Sequence, residues 1–404
     1  MAATAFFALL CLASYSSGLQ LKIEGQRNVR PGLLRRGNMD GTVSLSNNVN
    51  LDYYMNLTLG GQLFTVMIDT GSSDLWVAGN ITDSIDTGKV SELPYAKGAA
   101  GGPVKTSTLE FAGYIVQDQA FMQVTPDSEH PIGAGIIGLG PTTGSVIYNN
   151  LTTSVGYTVL DRIFLQNTST PNYLTVLLGR TQDPTDVFPG EISIGELLDG
   201  YSNIESEPKL EILLDEDGII GSDGKPIHIT TTVKQTSNSK QATAMLDTGF
   251  SLSQVPRYVA DAIYSRFSGA EYMNMTGLGE VWTLPCDEEV NVTFKFSGNS
   301  YHVHPLDATM DPSLINLDLT DSTGRSYCVG SFQPFIFAPP FPTYDMILGM
   351  SFLRNVYAVF NYGDFVAGGN DTTVREDPYV QLLSTTDPAE AHSDFVAVRL
   401  SGLA

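Results

Sequence analysis

The sequence predicts a mainly β protein of two lobes made by internal duplication, with an active-site cleft between them. Three observations carry this expectation. Short runs rich in Val, Ile, Thr, Tyr and Phe recur along the chain, broken by Gly, Asn and Pro, and no heptad or Ala-rich helical pattern appears. With 404 residues, 42% hydrophobic and 16% charged, the chain is too long for one small core and too apolar to be disordered. Two segments also repeat one another in order and composition.

The repeat begins with Phe64-Thr65-Val66-Met67-Ile68-Asp69-Thr70-Gly71-Ser72-Ser73 and returns as Ala242-Thr243-Ala244-Met245-Leu246-Asp247-Thr248-Gly249-Phe250-Ser251. Each copy is an apolar strand ending in Asp-Thr-Gly. Each is followed downstream by an apolar pair and a glycine, Ile136-Ile137-Gly138 and Ile347-Leu348-Gly349. Asp69 and Asp247 therefore sit where a buried strand stops and a turn begins. Thr adds a short hydroxyl, and Gly permits a backbone path that a side chain would forbid. Two halves related by an approximate twofold axis would bring the carboxylates face to face. One Asp-Thr-Gly is an ordinary strand-end turn; two in the same duplicated frame point to a site.

Two adjacent carboxyl groups cannot both ionise easily, so the pair holds one proton over an acidic window. The ionised member can take a proton from water as that water attacks a carbonyl, while the protonated member donates to the carbonyl oxygen. This chemistry calls for no metal, cofactor or covalent nucleophile.

At these residues the chain resembles the pepsin-like aspartic proteases, especially their secreted fungal branch. The resemblance runs from about Leu51 to Tyr362. It includes Asp69-Thr70-Gly71-Ser72-Ser73-Asp74-Leu75-Trp76-Val77 as a first active-site signature and Ala244-Met245-Leu246-Asp247-Thr248-Gly249 as a second. Val159 to Asn167 is similar to a first-lobe helix and turn, and Cys286 and Cys328 match the second-lobe disulfide. The resemblance implies a bilobed fold of two β-barrel-like lobes and an acid endopeptidase with Asp69 and Asp247 as its catalytic pair. It also implies a monomer that cleaves proteins or peptides and is inhibited by pepstatin-like peptides. Thr70 and Thr248 would brace the two turns, with Gly71 and Gly249 beside them, and the Ser72 hydroxyl would bond Asp69. Phe250 departs from the pattern, standing where Ser or Thr is usual. It either raises the pKa of Asp247 by withholding a hydrogen bond or is inert packing.

Leu93-Pro94-Tyr95-Ala96-Lys97-Gly98 followed by Thr106 to Val116 reads as two strands around a glycine-rich tip and resembles the family's lid, with Tyr95, Lys97 and Gly98 at its tip. The other reading is a plain surface hairpin. Lys97 would repel basic side chains, so apolar or aromatic residues are expected beside the cleaved bond.

The remaining composition concerns location. Residues 1–18 begin with an apolar run and end in small residues, the layout of a signal peptide without a basic start. Residues 19–36 carry Lys22, Arg27, Arg30, Arg35 and Arg36 against Glu24, reading as a basic propeptide or a basic linker. Cys11 falls in the leader, leaving Cys286 and Cys328 to pair in an oxidising compartment or to remain buried thiols. Seven sequons, at Asn56, Asn80, Asn150, Asn167, Asn274, Asn291 and Asn370, suit an exported surface. Extracellular and vacuolar destinations both remain open. A net charge of −23 excludes a basic nucleic-acid footprint and favours an acidic milieu. No second stretch has membrane-spanning length, so no membrane anchor is expected. The lobes are expected at 37–206 and 207–364, with 365–404 a tail of no assigned role. Two rivals are a binding protein that has lost catalysis and a glycosidase. Both intact Asp-Thr-Gly copies oppose the first; the duplicated Thr-Gly frame and a sequence with only Trp76 and Trp282 for sugar stacking oppose the second.

Overall fold

The structure is a computed structural model describing residues 41–95, 99–166, 170–181, 183–184, 188–275, 279–335, 343–364 and 377–400. The leader and propeptide readings, Lys97, Gly98, and the sequons at Asn167 and Asn370 lie outside the described residues.

Strands dominate, and the first half is built on an eight-stranded sheet. At its centre Gln62–Asp69 runs parallel to Ala134–Gly138, which lies antiparallel to Leu75–Ala78. That strand in turn runs parallel to Tyr114–Val124. The second half repeats the arrangement with shorter strands. Ala244–Leu246 is parallel to Met346–Leu348, which opposes Ser253–Val255, itself parallel to Phe332–Pro334. The apolar pairs downstream of each Asp-Thr-Gly are thus the hydrogen-bonded neighbours of the strands that carry the acids. Val66, Ile68, Ile137, Ile347 and Leu348 are fully buried, which is why these strands read as apolar runs without alternation.

A further five-stranded sheet joins the halves. Thr42–Ser44, Gly190–Ile194 and Tyr173–Leu178 come from the first half, Val356–Asn361 and Tyr379–Ser384 from the end of the chain. Tyr379–Ser384 falls in the stretch to which the sequence assigns no role. It pairs along the whole of Val356–Asn361 and buries Leu382 completely. The helix Pro388–Phe395 follows, capped by the Asp387 side chain. One six-residue strand with no clean alternation resembles a loop in sequence until its partner is known.

The hairpin near residue 95 needs a correction. Its return strand is Ala99–Phe111, paired with Ile85–Pro94, so it begins well before Thr106. Thr106 to Val116 spans a second turn at Ala112-Gly113, whose φ angles of 53° and 80° make a tight two-residue hairpin between Phe111 and Tyr114. Ala is an unusual first residue for such a turn, so its signal in sequence is weak. Cys286 and Cys328 are disulfide-bonded, tying the end of Gly279–Pro285 to Tyr327–Gly330. Closing a loop of this length stabilises by about 2–4 kcal/mol.

Candidate active site

Asp69 ends its strand, and Asp247 directly follows Ala244–Leu246. The Asp69 carbonyl accepts from the Leu139 N–H at 2.8 Å, and the Asp247 N–H donates to the Leu348 carbonyl at 3.1 Å. Each acid is thus tied to its own apolar-apolar-Gly segment, and both are fully buried.

Reciprocal bonds join the two turns. The Thr70 N–H donates to Thr248 Oγ1 at 3.0 Å, and the Thr248 N–H donates to Thr70 Oγ1 at 3.1 Å. The Thr70 hydroxyl then donates to the Leu246 carbonyl at 3.2 Å, and that of Thr248 to the Ile68 carbonyl at 3.1 Å. Each threonine side chain therefore satisfies the strand end of the opposite half. Gly71 shows how close the halves come: a Cβ there would stand 2.1 Å from Oδ2 of Asp247. No side chain fits, whatever its rotamer.

The two carboxylates differ in their hydrogen bonds. Oδ1 of Asp69 accepts the N–H groups of Gly71 at 3.0 Å and Ser72 at 3.1 Å. Oδ1 of Asp247 accepts from the Gly249 N–H at 2.7 Å, while its buried Oδ2 has no partner at hydrogen-bonding geometry. Burial raises the Asp247 carboxyl well above the usual carboxylate range. The charge of Asp69 adds to this, and the Gly249 N–H opposes it. A proton is held at Asp247 where an isolated carboxyl would have lost it.

One expectation for the flanking residues changes. The Ser72 hydroxyl does not bond Asp69; it is buried without a hydrogen-bond partner, and the backbone N–H of Ser72 serves instead. The turn aims the peptide N–H at the carboxylate, leaving the side chain directed elsewhere. On the other side, the Phe250 ring is fully buried, and its N–H donates to the Asp247 backbone carbonyl at 3.3 Å. Asp74, within the first signature, has a structural position. It accepts from the Ser145 hydroxyl and from the N–H groups of Val146 at 2.8 Å and Ile147 at 3.2 Å, holding the start of the helix Val146–Leu151.

Tyr95 stands just past Ile85–Pro94, and its hydroxyl accepts from Trp76 Nε1. With Tyr54 it packs on a small apolar group that includes Met67, Trp76 and Leu93. Sequence reasoning missed three residues here. Tyr344 lies close enough to Asp247 that, after burial, the carboxylate charge helps push its phenol up to about 12. Its place two residues before Met346–Leu348 was the available signal. Asp52 and Tyr54 lie on the strand beside Gln62–Asp69, with Tyr54 opposite Met67. Burial pushes the Asp52 carboxyl up to about 7, against hydrogen bonds from Asn48 and Tyr54. Among the described residues, no group of three or more His, Cys, Asp or Glu is placed to hold a metal ion.

A duplicated β scaffold that buries one Asp-Thr-Gly turn from each half, with the turns cross-braced by their threonines, defines the aspartic hydrolase class. The chain belongs to the eukaryotic aspartyl protease family, whose model matches residues 52–368. It is an aspartic endopeptidase, similar to major aspartyl peptidase 1 of Cryptococcus neoformans var. grubii at 30% identity. That match covers 81% of this chain and 70% of the relative. Vacuolar protease A of Aspergillus fumigatus is 26% identical, over 84% of this chain and 85% of that one. In fold, the chain is similar to the crystal structure of aspartic proteinase from Irpex lacteus. The TM-score is 0.61 at 20% identity, covering 86% of this chain and 97% of the other.

Proposed function

We propose that Asp69 and Asp247 are the catalytic pair of this endopeptidase and that they activate a water for attack on a peptide bond in acid. The observation that carries this reading is the threonine brace, which holds the two buried carboxyls together while burial and the Asp69 charge keep a proton at Asp247. The ionised carboxylate takes a proton from water as the C–O bond forms. The protonated partner donates to the carbonyl oxygen, and collapse of the tetrahedral intermediate breaks the C–N bond as the leaving amine gains a proton. The test is hydrolysis of haemoglobin or casein in acidic buffer, titrated with a pepstatin-type inhibitor. Stoichiometric loss of activity is expected; absence of both hydrolysis and inhibitor binding would refute the assignment.

The substrate preference belongs to this reading as well. Tyr54, Trp76, Tyr95 and Met67 give the first half an apolar, aromatic patch beside the acids, supporting apolar or aromatic residues around the scissile bond. The Tyr95 hairpin is the proposed lid. A peptide library favouring Lys or Arg before the cleaved bond would overturn that preference.

Phe250→Thr is expected to move the alkaline limb of the rate-against-pH profile to lower pH. A hydroxyl near Asp247 would favour its ionised form and lower the raised pKa of the group that carries the proton. Losing a buried ring also costs about 2–4 kcal/mol, so rates are compared well below the unfolding temperature. Superimposable profiles would show that Phe250 only packs.

Export completes the proposal: a signal peptide at 1–18, a propeptide at 19–36, a monomeric mature enzyme, and secretion as its destination, with the vacuole as the alternative. Asn56, Asn80, Asn274 and Asn291 lie on the surface, as glycan acceptors must. No described helix is long and apolar enough to cross a membrane. N-terminal sequencing of protein from medium and from vacuoles tests both the cleavage points and the destination.

A further inference from the structure

We propose that His130, held by Asp127, is a positioning residue for Tyr95, acting through Trp76 so that the grip on substrate depends on pH. The proposal rests on the endopeptidase reading of the acid pair and extends it to a histidine that the chemistry does not use.

Residues 125–132 form an exposed loop, and among them His130 alone is drawn inward, its side chain 14% exposed. Its imidazole meets the Trp76 indole edge-on, with ring centres 5.4 Å apart and planes at 78°. Trp76 lies on the strand that follows the Asp69 turn, and its Nε1 donates to the Tyr95 hydroxyl. Three side chains thus run in series from the loop to the proposed lid. Behind them stands Asp127. Its Oδ1 meets the imidazole Nδ1 at 3.0 Å and accepts the N–H groups of Glu129 at 2.8 Å and His130 at 2.7 Å. The groups facing the imidazole are Asp127 from its own loop and Trp76 from the neighbouring strand. Among the described residues, its one ion pair is with Asp127.

The pH window follows from the two charges. The His130 N–H, more than the slight burial opposing it, holds the Asp127 carboxyl below its ordinary range, and the Glu129 N–H and the imidazole add to this. Asp127 therefore keeps its charge further into acid, and its half of the pair is lost only as pH falls through that lowered value. The ion pair at 3.0 Å needs the imidazole protonated, so it weakens as pH rises and the imidazolium is lost. Trp76 and Tyr95 are then held less firmly. The pair is partly exposed, so KM should change by no more than about 5-fold across the transition while kcat moves little.

The test uses the mature enzyme, a fluorogenic apolar peptide and tryptophan emission. A protonated imidazole quenches a neighbouring indole, so wild-type emission should fall on acidification. His130→Phe keeps a ring against Trp76 but carries no charge; it should lose that emission step and flatten the dependence of KM on pH. Asp127→Asn changes a side chain that is 56% exposed and gives a milder variant. It should shift the emission step and the KM change together to lower pH, because the imidazolium loses its counter-charge. His130→Phe profiles that superimpose on wild type would overturn the proposal. So would loss of the emission step with KM unchanged, since His130 would then touch Trp76 without governing Tyr95. The emission step needs no turnover, so failure of the acid-pair assignment would be seen separately, as absent hydrolysis with the step still present.

Discussion

Replacing Asp247 with Asn is expected to abolish peptide hydrolysis and, at neutral pH, to make the protein more stable. The first effect follows from the proposed role of Asp247 as the proton donor to the carbonyl oxygen, worth about 10²–10⁴-fold in rate. The second follows from the direction of the Asp247 shift. Its folded pKa is raised by burial and by the Asp69 charge. The folded state therefore binds this proton more tightly than the unfolded chain, a contribution that is full in acid and lost as pH rises through the raised value. Near neutrality the wild type carries a second buried negative charge beside Asp69, or keeps a proton that the unfolded chain would release. An amide of nearly the same shape escapes both costs, for a gain of about 1–3 kcal/mol. Rates on a peptide substrate and thermal unfolding at acidic and neutral pH measure the two effects. Retained hydrolysis, or a variant less stable than wild type at neutral pH, would contradict this account. Gains in stability on removing a charged group are a signature of an active site, because a merely structural acid would weaken the fold when lost.

Asp307→Ala is expected to be the most damaging change outside the site, at about 3–5 kcal/mol. Asp307 is fully buried between two guanidinium groups. Arg180 Nε donates to its Oδ2 at 3.0 Å, with Nη2 of the same residue also in contact, and Arg354 Nε donates to its Oδ1 at 2.6 Å. Arg180 follows the Tyr173–Leu178 strand of the first half, whereas Asp307 and Arg354 belong to the second. Arg354 Nη1 reaches back to the Asn50 carbonyl at 2.7 Å, and Asn50 is bonded to Thr181 through both polar atoms of its amide. The network therefore clamps the two halves together. Burial alone would raise the Asp307 carboxyl, but Arg180 and then Arg354 outweigh it and hold the group far below the ordinary range. A depressed pKa contributes stability above the unfolded value near ~3.9 and loses it only as pH falls through the folded value. The clamp thus survives the acid in which the enzyme is expected to work. Removing the carboxylate leaves two buried cations facing each other. Denaturant unfolding should show the loss, and the acid-unfolding midpoint should move to higher pH. A change below about 1 kcal/mol would mean the charges are solvated, as in a surface pair.

The duplication was legible because it is written in local chemistry. A strand buried on both faces must be apolar, a sharp turn needs Gly, and both marks occur twice around Asp69 and Asp247. The pairing of Ile136-Ile137-Gly138 with one acid strand and Ile347-Leu348-Gly349 with the other follows the same pattern. The Ser72 hydroxyl was misread because residue type does not say whether the side chain or the peptide N–H faces a carboxylate. Tyr379–Ser384 was passed over because a short strand takes its identity from the partner it covers.

By itself the sequence determined the acids, the turns that present them, and the two-part β architecture, because each depends on neighbours within about ten residues. Only the tertiary structure decided which atoms meet across the axis. Thr70 and Thr248 exchange N–H to hydroxyl bonds across 178 residues, and Arg180 meets Asp307 over 127. His130 touches Trp76, with nothing in the intervening chain to announce it, and Tyr344 feels the charge of Asp247. Such contacts arise when whole sheets pack, and the energy that selects them is shared over the buried surface rather than encoded at the two residues that end in contact.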